Sequence, residues 1–263
     1  MTQAATPTPV ARRLALPPAR GPISALLLDA LAGRPGTPVG APPPCADPLA
    51  DDDLQLTLYL CYELHYAELE GVDGDWEWDP GLLAFRAALE RAFEDALRAA
   101  VPVPPAGDPR EVGAALHALV AAETDPPTPP LSRWVEARAS AEQMRELLIH
   151  RSAYQLKEAD PHSWAIPRLS GAPKAALVEV QADEYGGGEA SRVHATLFAV
   201  AMDAVGLDPT YGAYVERLPG ITLATVNLMS LCGLHRRLRG AIVGHLAAFE
   251  MTSSLPSRRR PLA

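Results

Sequence analysis

The sequence predicts an all-α protein, a bundle of amphipathic helices, and three observations predict it. Alanine and leucine fill much of the 48% hydrophobic share while aromatic residues reach only 6%, and strand-rich folds favour β-branched and aromatic residues instead. Apolar residues recur at helical spacing in stretch after stretch beyond Asp51. Proline and glycine gather at the joints between those stretches. The 263 residues suffice for one large domain or two small ones.

Of the 27 prolines, eleven fall in the first 48 residues. Residues 1–50 are therefore expected to be largely irregular, with one short amphipathic piece from Ile23 to Leu31. The arginines near the start are followed by prolines, not by the apolar run of a secretory signal. Asp51, Asp52 and Asp53 supply cap candidates and favourable charge for a helix start, after which Leu54, Leu58, Cys61, Leu64 and Leu69 recur near helical spacing. Gly71 to Pro80, with Trp76 and Trp78, is a turn-rich link. A second helix spans about Gly81 to Ala100 on a stripe of Leu82, Leu83, Phe85, Leu89, Phe93 and Leu97, and Val101 to Pro109 breaks it. A third covers about Arg110 to Glu123, and Asp125 to Pro130 is a linker. Another long helix is expected from Leu131 to Lys157. After Gly171 the chain resumes as a helix through Glu184, meets Gly186-Gly187-Gly188, and continues to Val205. A short helix to Arg217 and a long one from about Thr222 to Met251 complete the set. This divides the chain into a Pro-rich segment (1–50), N-terminal helices packed on the body (51–124), and a metal-binding helical core (131–263).

Composition excludes several functions. A formal charge of −9 argues against a nucleic-acid surface. The longest apolar runs, such as Ala241 to Phe249, are too short for a bilayer. Cys45, Cys61 and Cys232 stand far apart without a CxxC pair, which excludes a disulfide scaffold or thiolate zinc site and fits a reducing cytoplasm. No phosphate loop, dinucleotide fingerprint, HExxH or nucleophile elbow is present.

Helical bundles build metal sites from inward-facing Glu, Asp and His, and three places set such residues among apolar neighbours. Glu158 ends a long helix, where the macrodipole disfavours a carboxylate; a cation or metal would compensate it, and an exposed Glu beside a loop is the alternative. Glu184 and His194 flank three glycines that cost roughly 2–3 kcal/mol relative to alanine within a helix. In an unbroken helix the two would lie about 80° out of phase. A glycine break could rotate them onto one face; the alternative is a surface Glu and a core His in a helix–loop–helix. Glu250 stands beside Phe249 and Met251, open to a ligand role, an ion pair or an exposed edge. Glu63 and His65, two apart on a helix, cannot both face one site, and a packing or capping role suits that segment better than a pocket wall.

The stretches Lys157 to Arg168 and Gln181 to Gly188, with Met229-Ser230-Leu231, Leu234 to Gly240 and Glu250 to Ser254, resemble the actinobacterial iron-containing redox enzymes. These are haem-oxygenase-like non-haem diiron oxidases and oxygenases, and the likeness runs from about Leu54 to Arg259. It implies a haem-oxygenase-like bundle that uses two irons and dioxygen on a small organic substrate. Carried over residue by residue, it implies Glu158, Glu184, His194 and Glu250 as metal ligands, with His162 orienting Glu158 from behind. Carboxylates with imidazole suit iron or manganese.

In one respect the chain departs from that pattern. Such proteins continue into another helix bearing His and Asp ligands, whereas nothing after Glu250 offers either. The expectation is therefore a C-terminally truncated bundle that binds iron below two equivalents and self-associates through an uncovered apolar helix face. The alternative function is a non-catalytic helical binding or interaction module.

Overall fold

A computed structural model describes residues 12–101, 107–122 and 131–258, with side chains through Thr252. The linker expected at 125–130 and most of the break after Val101 lie outside the described residues. The chain forms two compact units: residues 1–94 with 210–224, and 95–209 with 225–263.

In the first unit a two-residue strand, β1 (Arg13–Leu14), pairs in parallel with β2 (Glu68–Leu69). No other strand occurs among the described residues. Of the segment 1–50, the described residues from 12 onward are thus less irregular than their prolines suggest. Leu14 is fully buried, and the piece at Ile23–Leu31 lies within a helix, α1 (Pro22–Leu31), that buries Ile23, Leu27 and Leu31. α2 (Asp52–Glu63) starts as its aspartates lead one to expect, with the Asp51 carboxylate accepting the Leu54 N–H at 2.7 Å. Its burial exceeds the stripe its spacing indicates: Leu54 through Glu63 are all buried. Gln55, Thr57 and Glu63 have partners. Gln55 donates to the Pro48 carbonyl at 2.6 Å, Thr57 to the Asp53 carbonyl at 2.7 Å, and Tyr211 donates to Glu63 at 2.6 Å. His65 lies beyond the helix end, between Glu77 at 2.9 Å and Arg86 at 2.6 Å, with its ring against Trp78. Both Glu63 and His65 therefore serve packing. α3 (Pro80–Ala100) buries Leu82, Phe85, Leu89 and Phe93, four members of its expected stripe.

The second unit contains α4 (Val112–Ala122), α5 (Leu131–Arg138), α6 (Ala141–Gln155), α7 (Asp160–Ser163), α8 (Gly171–Glu184), α9 (His194–Ala204), the part of α10 (Gly220–Leu234) from Thr225 onward, and α11 (Arg239–Arg258). Ile149, Ala153, Leu177, Met202, Met229, Ile242 and Leu246 are buried within it. Two helices expected to be continuous are broken. Leu131–Lys157 divides at Ser140, whose hydroxyl accepts the Gln143 N–H at 3.3 Å while the Gln143 side chain accepts the Ser140 N–H at 2.9 Å. This reciprocal capping box starts a new helix. Thr222–Met251 divides after Leu234, where His235 is extended and a short 3₁₀ turn (Arg236–Leu238) follows. The Arg168 guanidinium donates to the carbonyls of Gly233 and Leu234, the latter at 2.7 Å. Those are terminal carbonyls that α10 cannot satisfy itself.

Gly233 also permits α10 to lie against α7. A Cβ there would stand 2.5 Å from the Pro161 carbonyl oxygen, a backbone atom with no freedom to yield. Gly233→Ala should therefore cost about 1–3 kcal/mol, as overpacking does. Urea denaturation checks this, and an unchanged midpoint would contradict the close approach.

Candidate metal centre

The site lies wholly within the second unit, where α6, α7, α8, α9 and α11 supply its residues. α8 carries Glu184 as its final residue. The three glycines that follow all adopt positive φ, at 67°, 63° and 88°, a region that side chains with a Cβ rarely occupy. At Gly186 a Cβ would also meet the backbone of Arg192 and Val193 at 2.7 Å. The chain thereby folds back on itself through two 3₁₀ turns, and α9 opens with His194. The break places His194 Nδ1 2.8 Å from Glu184 Oε2.

Glu158 reaches the same point from the turn after α6. Donor atoms of Glu158, Glu184 and His194 all lie within 4.8 Å of one another. Metal–ligand bonds of about 2.0–2.3 Å place the donors around one ion at such separations. Gln155 donates to Glu158 at 2.5 Å and holds its carboxylate in place. Burial, reinforced by the Glu184 charge, pushes the Glu158 carboxyl up to about 7. Glu184 is raised too, by burial foremost and by nearby Glu250, against the opposing effect of His194.

These donors fit a hard cation. His194 Nδ1 approaches Glu184 Oε2 at 2.8 Å, but its N–H is not aligned on that buried oxygen, which has the imidazole as its neighbour. Two crowded carboxylates with raised pKa values are what a divalent ion would relieve.

Of the other two residues expected here, Glu250 sits on α11 and borders the same cavity, but it is exposed and outside the three-residue cluster. His162 on α7 lies directly behind Glu158. It is buried, and its ring donates to the Glu158 backbone carbonyl rather than to the carboxylate. Its Nε2 is 3.2 Å from His245 Nδ1. Burial and the neighbouring His245 lower His162 to about 4, so it is neutral near pH 7.

Sequence reasoning missed five residues in or beside the site. Tyr154, one turn ahead of Glu158, lines the cavity edge-on to Phe249. Burial first, then Glu158, Glu184 and Glu250, hold its phenol far above the ordinary value. Gln181, three residues before Glu184, donates to the Ala159 carbonyl at 2.8 Å and to Ser163 Oγ at 2.7 Å. Tyr185 adds a bond to Asp160 at 2.7 Å. Together they clamp α7 to α8 and fix the distance between Glu158 and Glu184. Arg151 brings the cavity a cation, and behind its wall His245 packs against Phe249 with tilted rings whose centroids are 4.1 Å apart. The i, i+3 and i, i+4 spacings of Gln181 and Tyr154 to the ligand candidates were the available signal.

The centre opens into a cavity of about 650 Å³, whose apolar wall includes Leu197, Phe198, Ala201, Leu246 and Phe249. That is ample for a small organic molecule.

Residues 145–260 match the iron-containing redox enzyme family. The match is narrower than the likeness read from the sequence, yet it covers Glu158, Glu184, His194 and Glu250. The all-α architecture is consistent with a haem-oxygenase-like bundle. No curated protein matches the chain. No helix among the described residues is long and apolar enough to cross a membrane.

Proposed function

We propose that this chain is an iron-dependent oxidase or oxygenase that uses dioxygen on a small organic substrate held in the cavity beside Glu158, Glu184 and His194. The observation that carries the reading is the meeting of those three donors, one with a buried oxygen that accepts no aligned hydrogen bond, inside the segment that matches an iron-containing redox enzyme family. Bound iron would supply the electron transfer between dioxygen and substrate that side chains alone cannot perform.

The chain's own residues do the rest. Glu184 and Glu158 neutralise a divalent ion, and His194 adds the imidazole. The Gln155 bond presets the Glu158 carboxylate, so little reorganisation accompanies binding. The clamp from Gln181 and Tyr185 to α7 keeps the two carboxylates at one separation. Phe198, Leu246 and Phe249 reduce water around the reacting centre. Arg151 brings positive charge to the cavity wall and would orient an anionic part of a substrate.

Among the described residues one group of three donors forms, so the proposed occupancy is one tightly held iron per chain rather than two. The test is anaerobic loading with Fe(II), desalting, metal analysis, and dioxygen uptake against free Fe(II). About one equivalent of retained iron with uptake above that background is expected. A chain that retains no iron would overturn the reading and leave a non-catalytic binding module. Two tightly held equivalents would overturn the occupancy.

A further inference from the structure

We propose that the side-chain carbonyl oxygen of Gln181 is a further ligand to the ion held by Glu158, Glu184 and His194, a neutral oxygen donor added to two anionic ones. The inference rests on the metal-site reading above and extends it by a residue type that neither the sequence nor the family match singles out.

Three observations carry it. Gln181 is buried, with 3% of its surface exposed, and it lines the cavity of the metal centre. Both hydrogens of its amide nitrogen are engaged, by the Ala159 carbonyl at 2.8 Å and Ser163 Oγ at 2.7 Å. Turning the amide over would set its oxygen against the Ala159 carbonyl, an acceptor facing an acceptor, so the orientation is fixed by chemistry. The oxygen that remains is buried and has no hydrogen-bond partner.

The cavity's other buried oxygen without an aligned hydrogen bond is Glu184 Oε2. Gln181 and Glu184 are three apart on α8, on one helix face and about 4.5 Å apart along its axis. An unpartnered amide oxygen and a carboxylate oxygen that has only the His194 imidazole beside it, both buried on one helix face, suit a small cation. A bare divalent ion is such a cation, and an amide carbonyl oxygen is an ordinary ligand for hard ions. Two carboxylates already balance the ion's charge, so a neutral fourth donor adds a bond without adding repulsion.

The test is Mn(II) binding by calorimetry, with Mn(II) itself as the probe and no turnover required. Glu184→Gln is expected to weaken binding most. Gln181→Met, which keeps the length and removes the oxygen, should weaken it by about 10- to 100-fold, the scale on which even outer-shell losses act. Ser163→Ala loosens the clamp while leaving the Gln181 oxygen, and should weaken binding clearly less than Gln181→Met does. Gln181→Glu restores an oxygen at that position but surrenders the bonds to Ala159 and Ser163, and it should recover most of the affinity that Gln181→Met loses. Circular dichroism confirms folding of each variant; should Gln181→Met fail to fold, Gln181→Glu and Ser163→Ala decide the matter. Parental affinity in Gln181→Met, or a fall in Ser163→Ala or Gln181→Glu as large as that in Gln181→Met, would overturn the proposal while leaving the three-residue centre standing. A parent chain without Mn(II) affinity, or indifferent to Glu184→Gln, would overturn both.

Discussion

Replacing Glu158 with glutamine should lower iron affinity by about 100-fold or more, beyond the range of outer-shell losses, and should at the same time stabilise the metal-free protein above pH 7. The two effects have one cause. Glu158 and Glu184 share a half-buried setting where burial disfavours both charges and repulsion from Glu184 adds to it at Glu158, opposed there by His194, Gln155 and Arg151. A carboxyl raised to about 7 in the folded chain, against about 4.3 unfolded, binds more protons folded than unfolded between those values. Stability therefore falls as pH rises through that window, and the penalty is complete above it. Glutamine keeps an oxygen for the Gln155 donor and removes the charge. The gain in melting temperature should be clear at pH 8 and shrink steadily toward pH 5. If the variant melts lower than the parent at pH 8, Glu158 is a structural residue and the site reading loses its main support. Such a trade of stability for a strained site is common where groups are held for chemistry.

Much of this organisation was legible in the sequence, and the limits have physical causes. Helical class followed from composition and period, because tertiary packing of an amphipathic face dominates helix stability. The glycine run marked the place where α8 had to end, since no other residue takes three successive positive φ values at low cost. It is also the feature that lets Glu184 meet His194. The end of α10 was not legible. Apolar residues run on through it, and what stops the helix is Arg168, more than sixty residues away in the chain, engaging its terminal carbonyls. The break at Ser140 is legible, since Ser140-x-x-Gln143 is a capping box in plain sequence. In the centre, charged candidates drew notice and neutral ones did not. Gln181 looks like any polar residue on a helix until its nitrogen is seen to be committed and its oxygen left over.

Asp53→Ala should destabilise the first unit by about 3–5 kcal/mol, near the upper end for single substitutions. α1 begins after Gly21, which has no side chain to cap it, and a Cβ at Gly21 would stand 2.5 Å from the Asp53 carboxylate. That carboxylate does the capping from α2. Its Oδ2 accepts the Ile23 N–H at 2.7 Å, and its Oδ1 accepts the Ser24 N–H at 2.7 Å and the Ser24 hydroxyl. It stands in the first turn of its own helix as well, so one buried charge faces two helix N-termini, each of which favours it. Alanine would strand the buried Ile23 and Ser24 N–H groups, at about 1–3 kcal/mol for each before relaxation, while the Ser24 hydroxyl keeps the Gly21 carbonyl at 3.3 Å. Asparagine keeps one acceptor but turns an amide toward N–H donors, so it should recover less than half of the loss. Denaturation midpoints measure both, and an alanine variant within 1 kcal/mol of the parent would refute the shared-cap account. Iron content, read where the variant is still folded, should not change, because Glu158, Glu184 and His194 all belong to the second unit.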